Sequence, residues 1–120
     1  MNFTDPQNEC ITFSKRSLDG QGPMHLVIEA GAGAGKTAVL ATRVCWKLAT
    51  GPVSERLAPH ELTLVTFTRA AEEELRERVL RTLDGHDPQL GQGVHISTID
   101  SLLQSLMELH YPAFWVQAFA

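Results

Sequence analysis

Positive charge is in short supply in this sequence. Ten lysines and arginines are set against fourteen aspartates and glutamates, leaving a formal net charge of −4. That balance excludes a broadly basic surface of the kind that grips duplex nucleic acid non-specifically, though not a narrow groove that handles one strand. Cysteine is scarce too. Cys10 and Cys45 have no metal-ligand spacing, so a reduced, cytoplasmic protein is the expectation. No apolar run approaches the ~20 residues needed to span a bilayer. The N-terminal "MNFTDPQNEC" has neither the basic start nor the apolar core of a secretory signal. His25, His60, His86, His95 and His110 are scattered without a ligand pattern and read as surface or helix-end histidines. Repeats and low-complexity tracts are absent. What remains, with 43% hydrophobic and 20% charged residues among 120, is an ordinary globular composition and enough chain for one small domain.

The chain reads as a helix followed by three strand-plus-helix units. "MHLVIEA" (Met24 to Ala30) is a short apolar run between Gly22-Pro23 and a glycine-rich loop, the pattern of a buried strand. "KTAVLATRVCWKLAT" sets Leu40, Val44 and Leu48 on one helix face, stopped by Gly51-Pro52. "LTLVTF" (Leu62 to Phe67) is a second strand. "RAAEEELRERVLRTLDG" is an amphipathic helix with Ala71, Leu75, Val79 and Leu83 as its apolar stripe. Glu72/Arg76, Glu74/Arg78 and Glu77/Arg81 form its wet-side pairs, and Gly85 caps its C-terminus. "VHISTI" (Val94 to Ile99) is a third strand. "DSLLQSLMELH" is a further helix, with Asp100 at its N-cap and Pro112 just beyond its end. Alternation of this kind implies an α/β fold with parallel pairing. Three strands need further partners to cover both faces. With the aromatic tail "YPAFWVQAFA", this suggests the front of a longer protein.

The stretch "EAGAGAGKT" carries the chemistry. Ala30, Gly31, Ala32, Gly33, Ala34, Gly35, Lys36 and Thr37 follow the phosphate-loop pattern G-x-x-x-x-G-K-[ST], with alanine in the first glycine position. Small residues let backbone N–H groups converge on phosphate oxygens, and the following helix adds its positive end. Lys36 would bridge the β- and γ-phosphates, and the Thr37 hydroxyl would ligate Mg²⁺. Upstream, "FTDPQNECI" is a helix start. Thr4 or Asp5 serves as N-cap, Pro6 sits in the first turn, and Thr4 and Gln7 have capping-box spacing, which gives Gln7 a structural part.

These segments together resemble the superfamily-one DNA helicases of the UvrD/Rep and RecB/AddA type. "FTDPQNECI" is similar to their Q motif and "IEAGAGAGKT" to their first motif, Walker A, where alanine is common at the first position. "LVTFTRAAEEELRERV" resembles motif Ia, and "VHISTIDSLLQSL" resembles motif Ib of the RecB/AddA branch. The likeness runs from about residue 3 to residue 106. It implies the N-terminal, incomplete part (residues 1–120) of a first RecA-like motor domain, a P-loop NTPase parallel sheet with flanking helices. It also implies ATP and Mg²⁺ as cofactors. Gln7 would select adenine, and residues Ala30 to Thr37 would bind the nucleotide, with Lys36 and Thr37 serving catalysis. Thr66, Phe67, Thr68 and Arg69, with Ser97 and Thr98, would contact single-stranded DNA.

Particular residues carry a second reading. Core packing beneath the loop is the expected role of Phe67, ahead of base stacking. Arg69 is a phosphate contact or a solvated helix-start arginine. Asp100, where many relatives have histidine, would cap its helix and repel a phosphate. The family's acidic Walker B pair and arginine fingers have no counterpart here, because Glu72 to Glu74 fall inside a helix. The segment alone is therefore expected to bind nucleotide weakly and hydrolyse it poorly. The implied function is ATP-driven translocation on single-stranded DNA and duplex unwinding in repair or recombination. Its implied partners are a single strand or junction, the rest of the helicase and helicase–nuclease subunits, with no membrane. The rival readings are an inactive relic, an ATP-binding accessory module, or a small-molecule P-loop kinase.

Overall fold

The computed structural model describes residues 2–14, 25–29 and 35–110. Helix α1 (Asp5–Thr12) packs on α2 (Lys36–Cys45). The chain leaves α2 through a wider helical turn, Trp46–Thr50, closed by the Gly51 amide donating to the Trp46 carbonyl at 2.8 Å. A Cβ on Gly51 would sit 2.7 Å from that carbonyl oxygen and 2.9 Å from the indole, so the turn needs glycine there. The sequence then runs through strand β1 (Thr63–Thr66), α3 (Arg69–Thr82), the short α4 (Pro88–Gln92), β2 (His95–Thr98) and α5 (Ile99–His110).

Strands β1 and β2 pair in parallel, Thr63 opposite His95 and Thr66 opposite Thr98. Parallel neighbours cannot be joined by a tight turn, and α3 supplies the crossover. The apolar stripe of α3 comes out as expected except at Ala71, which is half-buried. Leu75, Val79 and Leu83 are buried against Ala41, Val44, Cys45 and Leu48 of α2 and its turn, and against Leu64 and Ile96 of the sheet. Ala41 and Val79 are wholly shielded from solvent and mark the centre of the core. On the wet side Glu72 pairs with Arg76 at 2.9 Å and Glu77 with Arg81 at 3.8 Å. Arg76 also donates to the Ile96 carbonyl at 3.0 Å, tying helix to sheet. Gly85 takes φ +89°, consistent with a helix-ending glycine.

Three expectations need correction. The run "MHLVIEA" is not a strand where it is described. Residues 25–29 have no ladder partner among the described residues and are all exposed, Val27 at 84%. An apolar run signals a need for cover, but a strand forms only where another strand accepts its hydrogen bonds. The buried side of α2 and its closing turn is Ala38, Val39, Ala41, Val44, Cys45 and Leu48, so Val44 and Leu48 of the expected face are buried while Leu40 is exposed. The reason is that both α1 and α3 pack on this helix, which draws small residues into the contacts. Finally, Asp100 is not the N-cap of α5. Thr98 takes that place, accepting from the Ser101 amide at 3.2 Å, and Asp100 lies exposed in the first turn. A hydroxyl one residue before the helix reaches the third amide. A carboxylate already inside the helix does not. Of the phosphate loop, residues 30–34 lie outside the described residues, as does the aromatic tail at 111–120.

Candidate nucleotide site and sheet edge

Thr4 opens α1 as its N-cap. Its side chain accepts from the Gln7 amide at 3.4 Å, while the Thr4 amide donates to Gln7 Oε1 at 2.9 Å. This is the reciprocal capping box read from the sequence, with Pro6 in the first turn. Gln7 therefore has a structural task at the helix start.

The other wall of the site is the start of α2. Gly35 holds φ +81°, a left-handed conformation that side chains disfavour. A Cβ there would meet Gln7 Nε2 at 3.4 Å, so the Q-motif helix lies directly on the end of the phosphate loop. α2 has no side-chain cap. Its first-turn N–H groups and the positive end of its dipole lie beside the exposed Lys36 and the half-buried Thr37. An uncapped N-terminus, an adjacent ammonium and a hydroxyl one residue on form a donor set suited to a phosphate chain and its magnesium.

Between the helices is a cavity of about 420 Å³ lined by Pro6, Gln7, Cys10, Ile28, Glu29, Lys36, Val39 and Leu40. Its walls are largely apolar, with the carboxamide, a carboxylate and an ammonium as polar groups. Such a space suits a flat base with hydrogen-bonding edges. The structure thus brings Gln7 together with Gly35 and Lys36, which lie far from it in sequence. The apolar wall of Ile28, Val39 and Leu40 escaped the sequence reading, since nothing in their spacing separates cavity lining from core.

A second residue missed there is Arg43. Its Nη1 donates to the carbonyls of Cys10 at 2.9 Å, Ile11 at 3.1 Å and Phe13 at 2.9 Å, all at the C-terminal end of α1. Burial pushes the Arg43 guanidinium below its ordinary value, with Cys10 and Glu55 acting in the opposite direction. The only available hint was negative: α1 has no basic residue in its own last turn to answer its carbonyls.

The motif Ia and Ib residues lie at the carboxyl edge of the sheet, where parallel strands present their ligands. Thr66 donates to the Thr68 carbonyl at 3.1 Å, and Thr68 caps α3 by accepting from Ala71 at 3.1 Å. Arg69 is exposed. Phe67 is 87% exposed, which corrects the expectation of core packing. It sits between the last residue of β1 and the cap of α3. Ser97 and Thr98 are buried. The Thr98 hydroxyl is engaged with Ser101, whereas Ser97 Oγ has no hydrogen-bond partner among the described residues.

Together these features describe an α/β protein with a cavity at the start of a helix and a ring exposed at the edge of a parallel sheet. The family model for the UvrD/REP helicase N-terminal domain matches residues 15–118, and the chain belongs to that family. It is 39% identical over 87 residues to DNA helicase II of Haemophilus influenzae, covering 72% of this chain and 11% of that protein. It is 35% identical over 118 residues to an ATP-dependent helicase/nuclease subunit of Natranaerobius thermophilus, covering 83% of this chain and 8% of that protein. With DNA helicase IV of Escherichia coli it shares 42% identity over 66 residues, 55% of this chain and 9% of the relative. The chain thus spans roughly a tenth of the length of these curated relatives.

Proposed function

We propose that this chain is the ATP-binding front segment of a DNA helicase or helicase–nuclease. On this reading it is an incomplete first RecA-like motor domain with the P-loop fold, working in the cytoplasm in repair or recombination. The observation that carries the reading is the placement of Gln7 against Gly35 and beside Lys36 around one cavity. Adenine lies between α1 and α2 with its edge on the Gln7 carboxamide. The phosphates run toward the start of α2, where Lys36 and the backbone amides of residues 30–37 stabilise their charge. The Thr37 hydroxyl would hold Mg²⁺, which would supply charge neutralisation at the phosphates. Single-stranded DNA crosses the carboxyl edge of the sheet. Phe67 stacks on a base, while Thr66, Thr68 and Arg69 face the backbone; Ser97 and Thr98, expected to join them, are buried beneath that edge.

The partners on this reading are a single strand or junction, the remainder of the helicase and, in a helicase–nuclease, a second subunit. The acidic pair that activates water belongs to that remainder. Among the described residues β1 ends at Thr66 and β2 at Thr98, and Glu72 to Glu74 lie within α3. The segment by itself is a binder with little turnover.

Equilibrium titration of Mg·ATP into the chain tests the reading. Lys36→Ala should weaken binding at least about tenfold, with the fold retained because Lys36 is exposed. Equal binding by both proteins would overturn it. DNA-stimulated hydrolysis by this chain at motor rates would overturn the division of labour.

A further inference from the structure

We infer that Arg43 is a positioning residue of the nucleotide site: by clamping the C-terminal end of α1 onto α2 it sets where Gln7 meets the base, and so determines base selectivity. The inference rests on the nucleotide reading above. α1 is eight residues long, too short to persist alone in water. Its one buried residue is Ile11, and apolar burial is non-directional, so it does not fix the height or rotation of the helix. Its last carbonyls need donors, and its own last turn holds no basic side chain.

Arg43, thirty to thirty-three residues further along, supplies them. One guanidinium nitrogen reaches three carbonyls at 2.9, 3.1 and 2.9 Å. It has two hydrogens for three acceptors, so at least one is shared, which is common at helix ends. Among the described residues Arg43 forms no ion pair within 4.0 Å. Its polar contacts are therefore spent on α1.

The lever is short. Arg43 lies in the same helix as Gly35 and Lys36, two turns on, and the carbonyls it holds begin three residues after Gln7. A shift of α1 along α2 moves the carboxamide relative to Gly35, where 3.4 Å already separates Nε2 from the position of a Cβ. Lys36 does not move with it, because it belongs to α2. Loss of Arg43 should therefore disturb base reading and spare phosphate binding.

The experiment is equilibrium binding of Mg·ATP and Mg·GTP to the full 120-residue chain, as wild type, Gln7→Ala, Arg43→Met and Arg43→Lys. Methionine keeps much of the apolar stem and removes every donor. Lysine keeps the charge with a single donor centre and no planar fork. Arg43→Met should lower the ATP-over-GTP preference about fivefold or more, toward Gln7→Ala, with GTP affinity within about twofold of wild type. Arg43→Lys should fall between, and it decides the matter should the methionine variant not fold. A preference unchanged in both folded variants would overturn the inference. So would ATP and GTP affinities that fall in parallel, the mark of a merely structural role. If wild type shows no preference, or Gln7→Ala keeps it, the adenine reading itself fails and Arg43 loses its proposed task with it.

Discussion

The core around α3 and the cleft between α1 and α2 are held by different forces. In the core, Ala41 and Val79 are wholly shielded, and α2, α3 and both strands contribute apolar side chains to one cluster. In the cleft, α1 buries one isoleucine and, among the described residues, is held by directional bonds that include the Thr4–Gln7 cap at one end and the three Arg43 contacts at the other. Apolar burial stabilises without specifying position to a fraction of an ångström, whereas hydrogen bonds specify position with modest net stabilisation. A scaffold needs the first and a site that reads a base edge needs the second. The same contrast separates Leu64, buried within β1, from Phe67, which stands in solvent just past its end.

Breaking the core should have the largest effect. Leu75→Ala removes a side chain that is 3% exposed between α2 and the sheet, and should cost about 2–5 kcal/mol in denaturant unfolding. A loss under about 1 kcal/mol would mean that the cluster is not the centre of the fold. Next comes the cap of α5. Thr98→Ala should cost about 1 kcal/mol, against a few tenths for Asp100→Ala. The reverse order would return the cap to the aspartate. Phe67→Ala should be the mildest for stability, within about 0.5 kcal/mol. In the intact helicase it should weaken single-strand binding by about 1–3 kcal/mol. Marked destabilisation with unchanged DNA binding would restore the core role first expected of this ring.

Those corrections show what the sequence could and could not convey. The stripe of α3, the parallel β1 and β2, and the Thr4–Gln7 box were legible because periodicity and capping act over a few residues. The family likeness was legible because four motifs keep their order. Phe67 was misread because apolar character reports a tendency to be buried, not whether the fold has covered a given ring. Asp100 was misread because the helix begins at Ile99, two residues earlier than a cap at Asp100 requires, and only the hydrogen bond to Ser101 fixes that boundary. Arg43 was invisible for a plainer reason. Its partners are main-chain carbonyls thirty or more residues away, and carbonyls leave no trace in residue identity.

The central claim is that Gln7 and Lys36 serve one nucleotide across the α1–α2 cleft. The most direct test is the binding of Mg·ATP and Mg·GTP to the wild-type chain and to Gln7→Ala, with Thr4→Ala as a control that breaks the same cap without removing the carboxamide. The account predicts that wild type and Thr4→Ala prefer ATP and that Gln7→Ala loses the preference while still binding through its phosphates. Equal affinity of the wild-type chain for both nucleotides would contradict it, leaving Gln7 as a helix cap and nothing more.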